Sequence, residues 1–170
     1  MIVNIAKSTD IPELVNLLSI LFSQEVEFAP NTSLQEQGLQ KIIDNPEIGH
    51  VVVVRDKGRI LGMVNLLYTF STALGGKVCI LEDMIVHPDF RGQQVGGELL
   101  GQAIEHAREV GCLRVTLLTD RDNFSAQRFY KRFGFEVSTM VPMRLFLKTT
   151  PNKSVNSQGG VKYQVQQWNH

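Results

Sequence analysis

The stretch that most constrains the fold of this chain is Leu81–Gly97, where a strand, a glycine-bearing turn and a helix follow one another. Val78–Val86 is mostly apolar and ends before Pro88, as expected of a buried strand. Apolar residues then recur at helical spacing, which predicts a helix over about 95–109. The loop between them ends at a helix N-terminus, where unpaired N–H groups and the helix dipole favour an anion. The pattern predicts a phosphate or pyrophosphate site, and a tight turn without ligand is the alternative.

The composition of the chain argues against two classes of function, nucleic-acid binding and binding to a membrane surface. The chain has 170 residues, enough for one domain with a hydrophobic core, and its 17 basic and 17 acidic residues give zero formal net charge. That balance argues against a dedicated nucleic-acid binder and a polybasic membrane surface. No apolar run is long enough for a membrane span, and no signal peptide is recognisable, so a cytoplasmic protein is expected. Cys79 and Cys112 lack metal-like spacing and are expected to be reduced, buried thiols.

The remaining elements follow from periodicity, capping pairs and turn residues. Two helices are predicted from capping boxes at Asp10/Glu13 and Ser33/Glu36. The predicted strands are Ile2–Ile5, the hairpin pair Val51–Val54 and Ile60–Phe70, Arg114–Leu118, and a closing pair Phe135–Ser138 and Met143–Leu147. A last helix, capped by Asp122 or Asn123, is predicted to run to about Arg132.

This order of elements implies a mixed α/β sandwich. The strand before the glycine loop and the strand at 114–118 should be parallel, because one helix joins them. The domain is predicted to span 1–148, with a polar tail over 149–170. Val161, Tyr163 and Val165 alternate in that tail, which is either partly ordered or an added strand.

The glycine loop resembles the coenzyme A pyrophosphate loop of the Gcn5-related N-acetyltransferases (GNAT), Arg/Gln-x-x-Gly-x-Gly/Ala. Arg91 takes its first position and Gly96 its last, but Gln94 replaces the middle glycine. If Gln94 needs a positive φ, glutamine costs about 1 kcal/mol or more there; in a helical conformation the cost is small.

A second motif supports the same family. Asn123–Phe135 matches the family signature Asn-x-x-Ala-x-x-Phe-Tyr-x-x-x-Gly-Phe at every fixed position, and it follows a predicted strand. The resemblance covers about residues 1–148. It implies a mostly antiparallel central sheet flanked by helices, with parallel strands splayed around the cofactor site.

The resemblance implies that acetyl-coenzyme A is the acyl donor and that no metal is needed. Its pantetheine would pair with backbone groups along Met84, Ile85 and Val86, where a strand N–H would stabilise the oxyanion. Asn123 would reach the cofactor backbone or serve as a plain helix N-cap. The pyrophosphate would bind the loop residues Arg91, Gly92, Gln93, Gln94, Val95, Gly96 and Gly97.

The resemblance also suggests the catalytic groups. Glu82 is the candidate general base, although an ion pair would explain it as well, and strand alternation predicts that it and Asp83 face opposite sides. Tyr130 is the candidate general acid for the leaving thiolate, or a phenol that only hydrogen-bonds or packs. Asp83 would bind a substrate cation or pair within the sheet. His87 and His106 are expected to face solvent.

The acceptor implied by the resemblance is a primary amine. Glu25 and Glu27 lie in a segment that borders the acceptor site in the family, so a small amine or polyamine is predicted. The resemblance suggests a homodimer, because family members are often dimers, but leaves the oligomeric state open. Three alternatives stay open. One is a catalytically silent acyl-coenzyme A-binding regulatory module, suggested by Gln94; the others are a protein N-terminal or lysine acetyltransferase and an enzyme with another acyl donor.

Overall fold

A five-stranded sheet forms the centre of the computed structural model, which describes residues 1–24, 29–145 and 147. The strands lie in sequence order, and each neighbouring pair is antiparallel except the last, which is parallel as predicted. The strands are β1 (Ile2–Ile5), β2 (Gly49–Asp56), β3 (Arg59–Ser71), β4 (Gly76–Val86) and β5 (Val115–Leu117).

Four α-helices cover the two faces of this sheet in the described part of the chain. They are α1 (Ile11–Gln24), α2 (Thr32–Ile43), α3 (Val95–Glu109) and α4 (Phe124–Lys131). The mixed, mostly antiparallel α/β fold predicted from the sequence is therefore confirmed. The predicted bounds of the helix after the glycine loop match α3, and short 3-10 turns precede α1 and follow β4.

Both predicted capping boxes are wrong, because the residues involved find other partners. The Asp10 carboxylate pairs with Arg55, and Glu13 Oε1 accepts the N–H of Ile60 at 2.7 Å, which ties α1 to β3. Helix α2 begins earlier than predicted, since the side chain of Asn31 accepts the N–H of Leu34 at 3.1 Å.

The sheet buries apolar side chains on both faces, which explains the run of four valines in β2. Val51 and Val53 pack with α1 and α2 in a first core, whereas Val52 and Val54 pack with α3 in a second core. Because β3 and β4 contribute to both cores as well, the central strands are held rigidly between two layers of helices.

The predicted closing strands are not found, because the described residues from 135 to 145 form no strand. Their apolar side chains Val137, Val141, Met143 and Leu145 are exposed. Alternating apolar residues form a strand only where a neighbouring edge completes their hydrogen bonds, and β5 offers just three residues. Residues 146 and 148–170, which include the predicted tail, lie outside the described residues.

Candidate functional site

The parallel strands β4 and β5 pair only over a short stretch. Cys79, Ile80 and Leu81 pair with β5, whereas β4 continues to Val86 without a β5 partner among the described residues. A cavity of about 840 Å³ opens beside this unpaired part of β4. Its lining comes from β4, the loop, the first turn of α3 and the α4 region, and includes Met84, Val86, Arg91, Gly92, Gln94, Val95, Gly96, Gly97, Phe129, Tyr130, Arg132 and Phe133.

The loop between β4 and α3 places the N-terminus of α3 at this cavity. Gln94 is the N-cap residue and adopts φ 64° and ψ 0°, the left-handed conformation that glycine accepts most easily. Its side chain caps no backbone N–H group, so the first-turn amides of α3 remain available to a ligand. Arg91 is oriented by a hydrogen bond from its Nε to the carbonyl oxygen of Val86 at 3.1 Å.

Gly96 leaves a space that a side chain would fill. A Cβ placed there would lie 3.5 Å from Val86 Cγ2, 3.7 Å from Phe129 Cζ and 3.9 Å from Met84 Cε. Those distances accommodate one methyl group but nothing larger without entering the cavity. The glycine therefore keeps the backbone open where an anion would contact the helix N-terminus.

Cationic side chains surround a second cavity of about 790 Å³, which shares Arg91, Phe129 and Tyr130 with the first. Arg128 and Arg132 also line it, so this side of the site suits a ligand that carries phosphate groups. Asn123 lines the same cavity and caps α4, because its Oδ1 accepts the N–H of Ala126 at 3.0 Å.

The hydroxyl group of Tyr130 is a proton donor that lies beside β4. Its hydroxyl lies 3.7 Å from the thioether sulfur of Met84, which is a weak acceptor that a better ligand atom can replace. Burial raises the pKa of the Tyr130 phenol, so the hydroxyl stays protonated at neutral pH. A protonated phenol at the edge of the cavity can donate its proton to a sulfur or oxygen bound there.

A β-bulge interrupts β4 at Asp83. Ile85 pairs with Met63 and Glu82 pairs with Asn65, so Asp83 and Met84 together oppose a single residue of β3. The expected alternation of Glu82 and Asp83 therefore does not hold. Asp83 has φ 52°, and its Oδ2 accepts a hydrogen bond from Asn65 Nδ2 at 2.7 Å.

These features agree with a family match. Residues 11–135 match the family model described as Acetyltransferase (GNAT) family. The chain belongs to the GNAT family of acetyltransferases.

Relatives of this GNAT chain include YhfO, an uncharacterized N-acetyltransferase of Bacillus subtilis. The two are 33% identical over 122 residues, which cover 70% of this chain and 81% of YhfO. The aminoalkylphosphonate N-acetyltransferase of Salmonella typhimurium is 31% identical over 94 residues, covering 55% of this chain and 60% of that enzyme. The solved glucosamine-6-phosphate N-acetyltransferase of Arabidopsis thaliana shares the fold, with a TM-score of 0.68 and 19% identity over 86% of this chain and 98% of that one.

GNAT enzymes use acetyl-coenzyme A as acyl donor, and most of the residues predicted to bind it lie at the two cavities. Ile85 and Gln93 do not line them. The Ile85 side chain is buried in the first core, so only its backbone could contact a ligand. Gln93 is exposed, and its Nε2 donates to the carbonyl oxygen of Asp89 at 3.0 Å.

The predicted catalytic and acceptor residues are distributed unevenly around the GNAT site. Tyr130 lines both cavities, whereas Glu82 is exposed on β4 outside their lining, and Asp83 is tied to Asn65. Glu25 and Glu27 lie outside the described residues. The two motifs did not predict Arg128, Arg132 or Asn65 as residues of the site. The second signature allows any residue at positions 128 and 132, and nothing local in the sequence distinguishes Asn65 from other polar strand residues.

The expected exposure of His87 and His106 is wrong, since both are half-buried. His106 Nε2 lies 3.2 Å from His50 Nδ1, which in turn lies 2.7 Å from the Tyr68 hydroxyl. This His50–Tyr68–His106 cluster lies near the end of the sheet where β4 and β5 pair. The described residues hold no group of three or more His, Cys, Asp or Glu side chains suited to a metal ion, and none of their helices could span a membrane.

Proposed function

We propose that this GNAT enzyme transfers the acetyl group of acetyl-coenzyme A to the primary amine of a small molecule through a ternary complex. The observation that carries the proposal is the cavity between the unpaired end of β4 and Tyr130, with the α3 N-terminus at its base. The thioester would lie along β4, where its oxygen can accept a backbone N–H from Met84 or Ile85. Tyr130 would then be within reach of the departing sulfur.

Tyr130 supplies a proton when the C–S bond breaks. Attack of the amine nitrogen on the acetyl carbon moves the C=O π electron pair to oxygen; when this oxyanion re-forms the C=O bond, the electron pair of the C–S bond leaves with sulfur. The Tyr130 phenol donates its proton to that sulfur, and the raised pKa supports this role because the donor must be protonated beforehand. Bulk solvent restores the proton afterwards through the open mouth of the cavity.

Glu82 is the proposed general base. An alkylammonium ion cannot attack, so one proton must leave the amine before or during bond formation. Glu82 is exposed on β4, two residues before Met84, and accepts that proton directly or through one water molecule. The bulge at Asp83 supports this assignment. It bends β4 between Glu82 and the backbone of Met84, where the thioester is proposed to bind.

The acceptor we favour is a small cationic amine or polyamine. Glu82 and Asp83 place two carboxylates side by side on this part of β4, although the whole chain is neutral, and negative charge there would attract a cationic acceptor. The Salmonella relative suggests a second candidate, because its name specifies an amine that also bears an anionic phosphonate. A cytoplasmic location and a homodimer remain predictions.

An amine panel read by thiol release tests this proposal. A diamine, a neutral amine and an aminoalkylphosphonate should all be compared at low and high salt. We expect the diamine to have the highest kcat/KM, with an advantage that shrinks as salt screens the carboxylates. A higher kcat/KM for the phosphonate would move the acceptor class to the second candidate. Cofactor binding without turnover of any amine would favour a silent acyl-coenzyme A-binding module.

Replacing the proposed acid gives the sharpest test of the chemistry. Tyr130→Phe should lower kcat by roughly 10²-fold or more and leave the affinity for acetyl-coenzyme A near wild type. Phe135→Leu is the matched control, since it changes a ring that contacts Tyr130 but lines neither cavity and carries no proton donor. Weaker binding with an unchanged kcat in Tyr130→Phe would restrict Tyr130 to packing.

The proposed base predicts a pH-dependent defect. Glu82→Gln should lower kcat by roughly 10²-fold at neutral pH. Part of this loss should be recovered at high pH, where more of the amine is already unprotonated. A defect of equal size at every pH would show that Glu82 does not accept the proton.

A further inference from the structure

Asn65 is a buried polar residue on the central strand β3, with only 3% of its surface exposed. Its Oδ1 has no hydrogen-bond partner among the described residues, whereas its Nδ2 donates to Asp83 Oδ2 at 2.7 Å. A carboxylate accepts hydrogen bonds, so this bond fixes the orientation of the amide. A buried carbonyl oxygen without a donor lowers the free energy of unfolding. Stability of the core therefore does not explain why an asparagine occupies this position.

The partner of this amide has a strained backbone. Asp83 adopts φ 52° within β4, a conformation that residues other than glycine seldom adopt and that is frequent at functional sites. It is also the extra residue of the bulge, so the Asn65–Asp83 hydrogen bond holds the bulge from the adjacent strand.

The bulge determines which side chains face the cavity. Leu81 and Met84 both pack toward the second core, although regular alternation would separate residues three apart. The added residue therefore turns Met84 toward Tyr130 and the cavity, and returns Ile85 to the first core. A shift of the bulge would displace the backbone N–H groups of Met84 and Ile85 together with the contact to Tyr130.

We propose that Asn65 is a positioning residue, whose buried amide holds Asp83 and so fixes the β4 bulge that presents Met84 and Ile85 to the acyl donor. The inference rests on the proposed function, because it assigns those backbone groups to thioester binding. Asn65 itself contacts no reacting atom. It acts through Asp83, and its loss should therefore impair the chemical step more than the stability of the fold.

The first test replaces the amide by an apolar group of similar size. Asn65→Leu should retain a thermal midpoint close to wild type but lower kcat by roughly 10-fold or more, as expected of a small misplacement of reacting groups. Gln35→Leu is the matched control. Gln35 is the other buried amide of the described chain with an unpartnered atom, and it lies on α2, away from the bulge. Its variant should keep the wild-type kcat.

The second test exchanges the two partners. Asn65→Asp alone places two carboxylates together and should lower kcat, whereas Asn65→Asp combined with Asp83→Asn restores one donor and one acceptor. We expect the double variant to recover at least part of the lost kcat, measured at saturating acceptor so that changes in KM do not contribute. Asparagine adopts a positive φ about as readily as aspartate, so the exchange does not change the backbone preference at position 83.

An unchanged kcat in a folded Asn65→Leu variant, or no recovery in the double exchange, would overturn the inference. An equal loss of kcat in Gln35→Leu would do so as well. Failure of the proposed function gives a different result, since the wild-type enzyme would then turn over no amine at all. If Asn65→Leu does not fold, the double exchange still decides the question, because it preserves the polar pair.

Discussion

The two ends of strand β4 differ although both pair with the same strand β3. At the first end Cys79, Ile80 and Leu81 pair with β5, and at the second end Met84–Val86 have no β5 partner in the described part of the chain. Near the paired end, the polar side chains of His50, Tyr68 and His106 lie within hydrogen-bond distance of one another. At the open end, Met84 and Val86 line a cavity. The candidate ligand site is thus located where β4 has no second neighbouring strand to complete its hydrogen bonds.

The paired end contains a cysteine and a tyrosine whose surroundings keep their side chains protonated. Burial, together with the neighbouring Cys112, raises the pKa of Cys79 to about 12, so its thiol stays protonated. Burial also raises the pKa of Tyr68. At the open end, burial raises the pKa of Tyr130 as well, but that hydroxyl faces a cavity and can reach a ligand. Access to a ligand, and not the direction of the pKa shift, distinguishes the two tyrosines.

Filling the open end should produce the largest effect. Gly96→Val places methyl groups beyond the Cβ position, where the nearest atoms leave no room outside the cavity. We expect the dissociation constant of acetyl-coenzyme A to rise at least roughly tenfold, measured by isothermal titration calorimetry. Gly96→Ala is the control and should bind nearly as well as wild type, because its Cβ makes ordinary contacts. Equal affinities of Gly96→Val and wild type would show that the cofactor does not use this cavity.

Relieving the strained N-cap should have a smaller effect in the opposite direction. The left-handed conformation of Gln94 is unfavourable for a residue with a Cβ atom. Gln94→Gly should therefore raise the free energy of unfolding by about 1 kcal/mol. Urea denaturation measures the change, and cofactor affinity should stay equal or increase. Gln93→Gly, which alters a neighbouring residue without a positive φ, should not stabilise the protein. A large loss of cofactor affinity in Gln94→Gly would mean that the glutamine side chain itself binds the ligand.

The paired end should respond mainly to pH, with the smallest effect. Burial lowers the pKa of both His50 and His106 below the ordinary value of 6.5; the charges of His106 and Lys77 lower the pKa of His50 further, while Glu47 and Glu109 act in the opposite direction. The unfolded chain therefore binds protons more readily than the folded one. Stability should be highest above pH 6.5 and fall as the pH drops below that value.

Thermal melting between pH 5 and pH 8 measures this decline, and the double variant His50→Gln with His106→Gln should flatten it. Because both imidazoles are partly exposed, the effect is screened and small. His87→Gln is the control, since that imidazole lies outside the cluster. An unchanged slope in the double variant would show that other groups cause the decline.

Local patterns predicted what depends on neighbours in sequence. The bounds of α3 follow from helical periodicity, and the placement of Tyr130 and Gly96 follows from two motifs with fixed spacing. The bulge at Asp83 was not predictable in this way, because it depends on a hydrogen bond to Asn65, 18 positions earlier in the chain. The capping box at Asp10 failed for the same reason, since Arg55 and Ile60 supply the competing partners.

The pair of glycines in the first turn of α3 has a consequence for local stability. Val95 anchors the first turn of this helix in the second core, and Leu99, Leu100, Ala103 and Ala107 anchor the rest, whereas Gly96 and Gly97 add no side chain on the cavity side of that turn. Glycine gains more backbone freedom than other residues when a helix opens, so the pair lowers the cost of a local opening in this turn. The proposed binding of the donor's pyrophosphate to the free N–H groups of this turn should therefore slow its amide hydrogen exchange more than that of the rest of the helix.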